Sequence, residues 1–187
     1  MRLDDLLAGI EILDLHNIYP DTEVAAVTSD SRKVTHGSVF VAIPGTAQDG
    51  HAYIPVALQH GATLVVQSTP LDPSEVGSFV RVSNPRRAYG EMAARLAGHP
   101  SQQLRVIGVT GTNGKTSTTL LIAHLLNGAG YKCGSLGTLG LRRAGEDSHE
   151  TTGLTTPDAG VLQGMLAELA AQGHTHLVME VSSHALA

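Results

Sequence analysis

Seven residues, Gly111-Thr112-Asn113-Gly114-Lys115-Thr116-Ser117, directly behind the apolar run from Leu104 to Val109, constrain this chain more than any other stretch. A strand that feeds a glycine-rich turn and then a helix builds an anion cradle. Glycines leave the backbone N–H groups free to point inward, and the helix start adds its positive end. In a P-loop of this kind the lysine reaches the β- and γ-phosphates and the next hydroxyl sits on Mg²⁺. Lys115 and Thr116 take those places, so ATP and Mg²⁺ are the expected ligands; no guanine-reading motif is visible. The spacing is a variant of the usual one. Counting back from Gly114, the first glycine position falls on Val109, and Gly108 comes one residue too early.

A P-loop demands a parallel sheet with helical cover, and the rest of the chain supplies both signals. Leu3, Leu6 and Leu7 suggest a short helix closed by Gly9. Val24 to Thr28, Val39 to Ile43, Thr63 to Val66 and Phe79 to Val82 read as strands, and Tyr53 to Gln59 as a helix. Pro70 to Pro73 is a loop. Asn84-Pro85 is a capped helix start, followed by the apolar stripe Tyr89, Met92, Ala93 and Leu96. His99-Pro100-Ser101 is a polar connection, which sets the expected boundary between domains 1–99 and 100–187. Beyond the P-loop, a helix carries Leu121, Leu125 and Gly128 along one side. Tyr131 to Leu136 reads as a strand. Thr156-Pro157 opens a helix with Val161, Leu162, Met165, Leu166 and Leu169 on its buried face, and Leu177 to Val181 forms the next strand. The expected fold class is α/β: a small amino-terminal α/β domain, then the first part of a P-loop parallel-sheet domain.

Composition narrows the partners. With 42% hydrophobic and 16% charged residues the chain is globular, and a net charge of −5 argues against a general nucleic-acid binder or a polybasic membrane patch. Its one cysteine, Cys133, excludes an internal disulfide and a cysteine-rich zinc cluster, and its apolar flanks suit a buried thiol. Ten histidines are scattered; His174 and His176 alternate and read as surface or edge residues, so no zinc site is expected. Neither a signal peptide nor a membrane-length apolar run is visible, which makes the cytoplasm the expected compartment.

Glu180 is the second catalytic candidate. It lies at the carboxyl end of a strand, where parallel sheets bind their ligands, and near a P-loop threonine it can help hold Mg²⁺. The sequence stops soon after, with about three strands read in the second domain, so a fragment is expected.

These motifs resemble the Mur ligases of peptidoglycan synthesis. Val109 to Thr116 is similar to that family's ATP loop, including the missing early glycine. Asp30-Ser31-Arg32, Gly37 to Ala42 and Asp49-Gly50-His51 are similar to its uridine-nucleotide-binding domain. Thr155-Thr156-Pro157 and Met179-Glu180-Val181-Ser182-Ser183-His184 look like the member that adds the third peptide residue. The resemblance implies ATP-dependent amide-bond formation between UDP-N-acetylmuramoyl-L-alanyl-D-glutamate and a diamino acid, meso-diaminopimelate or L-lysine, through an acyl phosphate.

Carried over by position, Gly111, Thr112, Asn113, Gly114, Lys115, Thr116 and Ser117 bind ATP. Lys115 and Glu180 are catalytic, and Thr116 with Glu180 serves Mg²⁺. Ser29, Ser31, Thr46, Ala47 and Gln48 meet the uridine nucleotide, and Thr155, Thr156 and Ser182 the muramoyl-peptide portion. Leu154 stands where some members carry asparagine. Family members are longer, so the isolated chain is expected to lack turnover. Two other readings of the P-loop stay open here: a kinase or hydrolase, and a non-catalytic nucleotide- or UDP-sugar-binding module.

Overall fold

Strands alternate with helices in each half of the chain, and each half closes its own sheet. The computed structural model describes residues 1–45, 49–70, 77–146, 149–150 and 155–182. The chain divides into two units, Met1–Leu96 and Ala97–Ala187.

The first unit contains α1 (Leu3–Leu7), β1 (Ile12–His16), β2 (Ala26–Thr28), β3 (Ser38–Val41), α2 (Ile54–Gln59), β4 (Ala62–Gln67), β5 (Phe79–Val82) and α3 (Pro85–Leu96). Its sheet runs β1-β5-β4-β3-β2, with β2 to β5 parallel and β1 antiparallel on β5. One core cluster joins Phe40, Val65 and Phe79 of the sheet to Ile54 and Ala57 of α2. α3 starts where the sequence places it: the Asn84 side-chain oxygen accepts from the Arg87 N–H at 2.9 Å, and Pro85 occupies the first turn. Its stripe of Tyr89, Met92 and Ala93 is buried. Full burial of a side chain such as Met92 contributes about 1.5–3 kcal/mol.

β1 was not expected. Its apolar residues Leu13 and Leu15 stay 48% and 56% exposed on an edge strand, so no inward-facing alternation marks it.

The second unit contains β6 (Arg105–Val109), α4 (Lys115–Gly128), β7 (Cys133–Gly137), β8 (Gly140–Arg142), β9 (His149–Glu150), α5 (Ala159–Ala171) and β10 (His176–Glu180). Its sheet has five strands where about three were expected, in the order β6-β10-β7-β8-β9. β6, β10 and β7 are parallel, and the short β8 and β9 add on as antiparallel strands. β10 therefore lies between two neighbours, and among the described residues β6 pairs on one side, with β10.

Three sequence expectations are corrected here. Leu121 and Leu125 of α4 are exposed; the helix packs through Ala123, with Ile122 and Leu126, against Cys133 and Val178. The cap of α5 is Asp158, whose carboxylate accepts from the Val161 N–H at 3.1 Å, so the helix opens after Pro157 and Val161 sits at its exposed start. His174 and His176 are buried, at 4% and 7% exposure, and are not surface residues. The Ala144 N–H donates to His174 Nε2 at 3.1 Å, and His176 packs on the Tyr131 ring. Burial lowers the His174 pKa, with Lys132 adding to the effect. Among the described residues no cluster of His, Cys, Asp and Glu could hold a metal ion. Cys133 is the buried thiol expected from its flanks, and burial raises its pKa.

Candidate functional site

β6 ends at Val109 and α4 begins at Lys115, so Thr110 to Gly114 form the loop between a parallel strand and a helix start. Gly111 and Gly114 have φ of 145° and 76°, a region that L side chains avoid, and these two glycines bend the chain into the cradle. The N–H groups from Thr112 to Ser117 meet no acceptor among the described residues. Lys115 folds back across the turn, its Nζ donating to the Gly111 carbonyl at 2.8 Å. A cation and a set of unpaired amides thus lie within one exposed turn, a donor set that suits a phosphate chain.

Glu180 reaches this loop through strand order. β10 pairs directly with β6, with Glu180 in register with Val109, and the Val181 N–H donates to the Val109 carbonyl at 2.9 Å. The Glu180 side chain is 2% exposed. Its Oε1 accepts from the Thr138 N–H at 3.0 Å and its Oε2 from the Thr138 hydroxyl at 3.2 Å. Gly137 makes this geometry possible, since a β-carbon there would run into the carboxylate. Thr116 and Glu180 line one small hollow. Two hard oxygen donors beside a phosphate cradle match what Mg²⁺ prefers, so the residues present fit that ion.

Thr155, Thr156 and Ser182 gather at the same carboxyl edge. The Thr156 hydroxyl donates to the Glu180 carbonyl at 3.1 Å and accepts from the Ser182 N–H at 3.2 Å. Thr155 Oγ1 lies 3.3 Å from the Thr138 hydroxyl. Thr138 and Gly137 are the members of this cluster that the sequence reading missed. A glycine-threonine pair after a strand carries no periodic or motif signal.

In the first unit, Ser29 and Ser31 line a hollow of about 510 Å³ with Asp30, Arg32 and Tyr53. The turn is built locally. Asp30 caps it by accepting from the Arg32 N–H at 3.1 Å, and accepts twice more from the Arg32 guanidinium at 2.8 Å. His60 Nδ1 lies 2.8 Å from the Ser31 carbonyl. The Arg32 guanidinium holds the Asp30 carboxyl down at about 2. Tyr53 and Arg32 were not singled out from the sequence as lining residues; Tyr53 arrives through the turn before α2. Thr46, Ala47 and Gln48 lie outside the described residues, as do Leu154, Ser183, His184 and the Leu71–Pro73 part of the expected loop.

The parallel sheet, the loop behind β6 and the acid on the neighbouring strand define an α/β protein with a P-loop-like strand, turn and helix. Its lineage is narrower. The model of the Mur ligase family catalytic domain matches residues 23–105 and that of the Mur ligase middle domain matches residues 109–187, and the chain belongs to the Mur ligase family.

The chain is 42% identical to the UDP-N-acetylmuramyl-tripeptide synthetase of Deinococcus radiodurans, in an alignment that takes in 100% of this chain and 39% of that protein. It is 38% identical to the UDP-N-acetylmuramoyl-L-alanyl-D-glutamate–2,6-diaminopimelate ligase of Cytophaga hutchinsonii, covering 99% of this chain and 38% of the relative. A solved structure of a ligase with that same activity name superposes with a TM-score of 0.77 at 30% identity, over 100% of this chain and 37% of the other. The MurF ligase of Thermotoga maritima, solved in complex with ADP, shares the fold at 23% identity and a TM-score of 0.52, over 87% of this chain and 32% of that one. The chain therefore spans under two-fifths of the length of the curated relatives it matches. No helix among the described residues is long and apolar enough to cross a membrane.

Proposed function

We propose that this chain serves an ATP-dependent amide-bond ligase of peptidoglycan precursor synthesis in the cytoplasm. The enzyme joins a diamino acid, meso-diaminopimelate or L-lysine, to UDP-N-acetylmuramoyl-L-alanyl-D-glutamate. The observation that carries this reading is the register of β10 on β6, which sets the Glu180 strand end beside the P-loop and places Thr155, Thr156 and Ser182 at the same edge.

A carboxylate is a poor electrophile, and its oxygen is a poor leaving group. Moving the γ-phosphoryl group of ATP onto the D-glutamate carboxylate creates an acyl phosphate and releases ADP. The amine of the diamino acid then attacks the acyl carbon, loses a proton and expels phosphate. Little of this is covalent work for the protein, which positions the groups and neutralises charge.

Residues 100–187 supply the ATP-binding domain. Lys115 leaves the Gly111 carbonyl for the phosphates, and the amides of Gly111 to Ser117 hold the phosphate oxygens. Thr116 and Glu180 would hold Mg²⁺, which when bound would offset negative charge on the phosphates. Residues 1–99 supply the uridine-nucleotide domain, with Ser29 and Ser31 in the hollow and Thr46, Ala47 and Gln48 as its further contacts. Thr155, Thr156 and Ser182 meet the muramoyl-peptide portion.

The test is phosphate release from ATP by the full-length protein. Release is expected only when the UDP-muramoyl-dipeptide is present, with amide product only when the diamino acid is added. Release that needs neither overturns the reading in favour of a hydrolase.

A further inference from the structure

Thr119 is buried, at 2% exposure, and its hydroxyl has no hydrogen-bond partner. A buried polar atom left unpaired costs about 1–3 kcal/mol, which a water or ligand reaching it would offset. Thr119 lies on α4 three residues after Thr116, which puts both side chains on one face of the helix, one turn apart. Both line the same small hollow, together with Ser135, Gly137 and Glu180. The hollow has about 10 Å³ of free space, the least that accepts a water. Leu120, Leu136 and Leu139 wall part of it, so its polar partners come chiefly from the hydroxyls of Thr116, Thr119 and Ser135 and the Glu180 carboxylate.

Magnesium dehydrates reluctantly and keeps several waters when proteins bind it through one or two oxygen ligands. An ion at Thr116 and Glu180 therefore needs acceptors for its waters. Glu180 has both oxygens engaged by Thr138 on the β7 side. The unpaired acceptor on the helix side is the Thr119 hydroxyl.

We infer that Thr119 is a positioning residue for the metal: its hydroxyl accepts a hydrogen bond from a water carried by the Mg²⁺ between Thr116 and Glu180, and so fixes the orientation of the ion's hydration shell. The inference rests on the Mg²⁺-nucleotide reading above. Thr119 touches neither nucleotide nor metal; it acts through the water.

The experiment is ATP binding by the full chain, followed by calorimetry across a Mg²⁺ titration, for the native protein, Thr119→Val and Thr119→Ser. Valine keeps the volume and removes the hydroxyl; serine restores it. The expected result is a roughly tenfold higher Mg²⁺ requirement in Thr119→Val. ATP affinity without Mg²⁺ and the unfolding midpoint are unchanged or slightly raised, and Thr119→Ser returns to the native requirement. An unaltered Mg²⁺ requirement in Thr119→Val, with the native protein binding normally, overturns the inference and leaves the P-loop reading standing. Failure of Thr119→Ser to restore the requirement overturns it as a matter of packing. Absence of Mg²⁺-dependent ATP binding in the native chain removes the reading beneath it and the inference together.

Discussion

The turn after β2 and the turn after β6 stand at equivalent places, each at the carboxyl end of a parallel strand, yet they handle charge in opposite ways. In the first unit Asp30 and Arg32 neutralise one another through two side-chain hydrogen bonds of 2.8 Å, and the hollow beside them offers hydroxyls and the Tyr53 ring. In the second unit, among the described residues, Lys115 meets a carbonyl and no acid, and the loop amides are unspent. The first turn spends its charges on its own shape and suits a ligand recognised by hydrogen bonds and stacking. The second keeps its positive potential for a polyanion. A place at the carboxyl end of a parallel strand is thus common to both turns, while the local pairing of charges decides what each attracts.

The strongest test of this contrast is Lys115→Ala. In the full-length enzyme it should lower turnover roughly 100- to 1,000-fold, as expected for loss of a group that stabilises developing charge. Affinity for the uridine substrate should hardly change, because the hollow proposed for its nucleotide portion is lined by first-unit residues and Lys115 is not among them. Undiminished turnover, measured as phosphate release, ends the assignment of Lys115.

Gly137→Ala attacks the acid instead of the cation. A β-carbon there collides with the Glu180 carboxylate. Either the carboxylate or the end of β7 must shift, at about 1–3 kcal/mol of stability. Denaturant unfolding and the Mg²⁺ dependence of ATP binding should both change, with the first unit's ligand unaffected. Native behaviour in both would mean that the Glu180 geometry is unimportant.

Arg32→Ala sharpens the other side of the comparison. Removing an exposed partner should weaken uridine-nucleotide binding only about two- to fivefold. Without the guanidinium, the Asp30 carboxyl should rise from about 2 toward its ordinary value of 3.8, as read by NMR titration. The sign follows from the depressed folded pKa. The native Asp30 contribution is fully present above pH 3.8 and is lost as the pH falls through about 2.

His174 gives a smaller, separate effect. Its folded pKa lies below the ordinary 6.5, so as the pH falls through 6.5 the unfolded chain takes up a proton that the folded chain refuses. Stability should fall by at most about 1.4 kcal/mol per pH unit in that window. His174→Gln should flatten the slope in denaturant melts at pH 7.5 and 5.5; an unchanged slope would assign the acid sensitivity elsewhere.

Legibility in the sequence tracked locality. Asn84-Pro85 announced α3 because a side-chain cap and a proline act within one turn. The P-loop was legible for the same reason, since its glycines, lysine and threonine are consecutive. β1, β8 and β9 left little signal, being short or edge strands whose residues are not set by an inward-facing alternation. Leu121 and Leu125 misled because a helical apolar stripe states that a face can be buried, not that something covers it. His174 and His176 misled because polarity predicts exposure. Inside the fold the Ala144 N–H reaches His174 Nε2, with Nδ1 left unpaired among the described residues, and the Thr175 hydroxyl and the Tyr131 ring meet His176.

By itself the sequence determined the α/β class, the phosphate loop with its cation and hydroxyl, and the candidacy of Glu180, since each depends on residues close together in the chain. Only the tertiary structure decided that β10 inserts between β6 and β7, that Thr138 and Gly137 hold the Glu180 carboxylate, and that Thr119 faces the same hollow as Thr116. Those outcomes turn on which strand pairs with which, a choice made by long-range packing and backbone hydrogen bonding, which no short window of residues encodes.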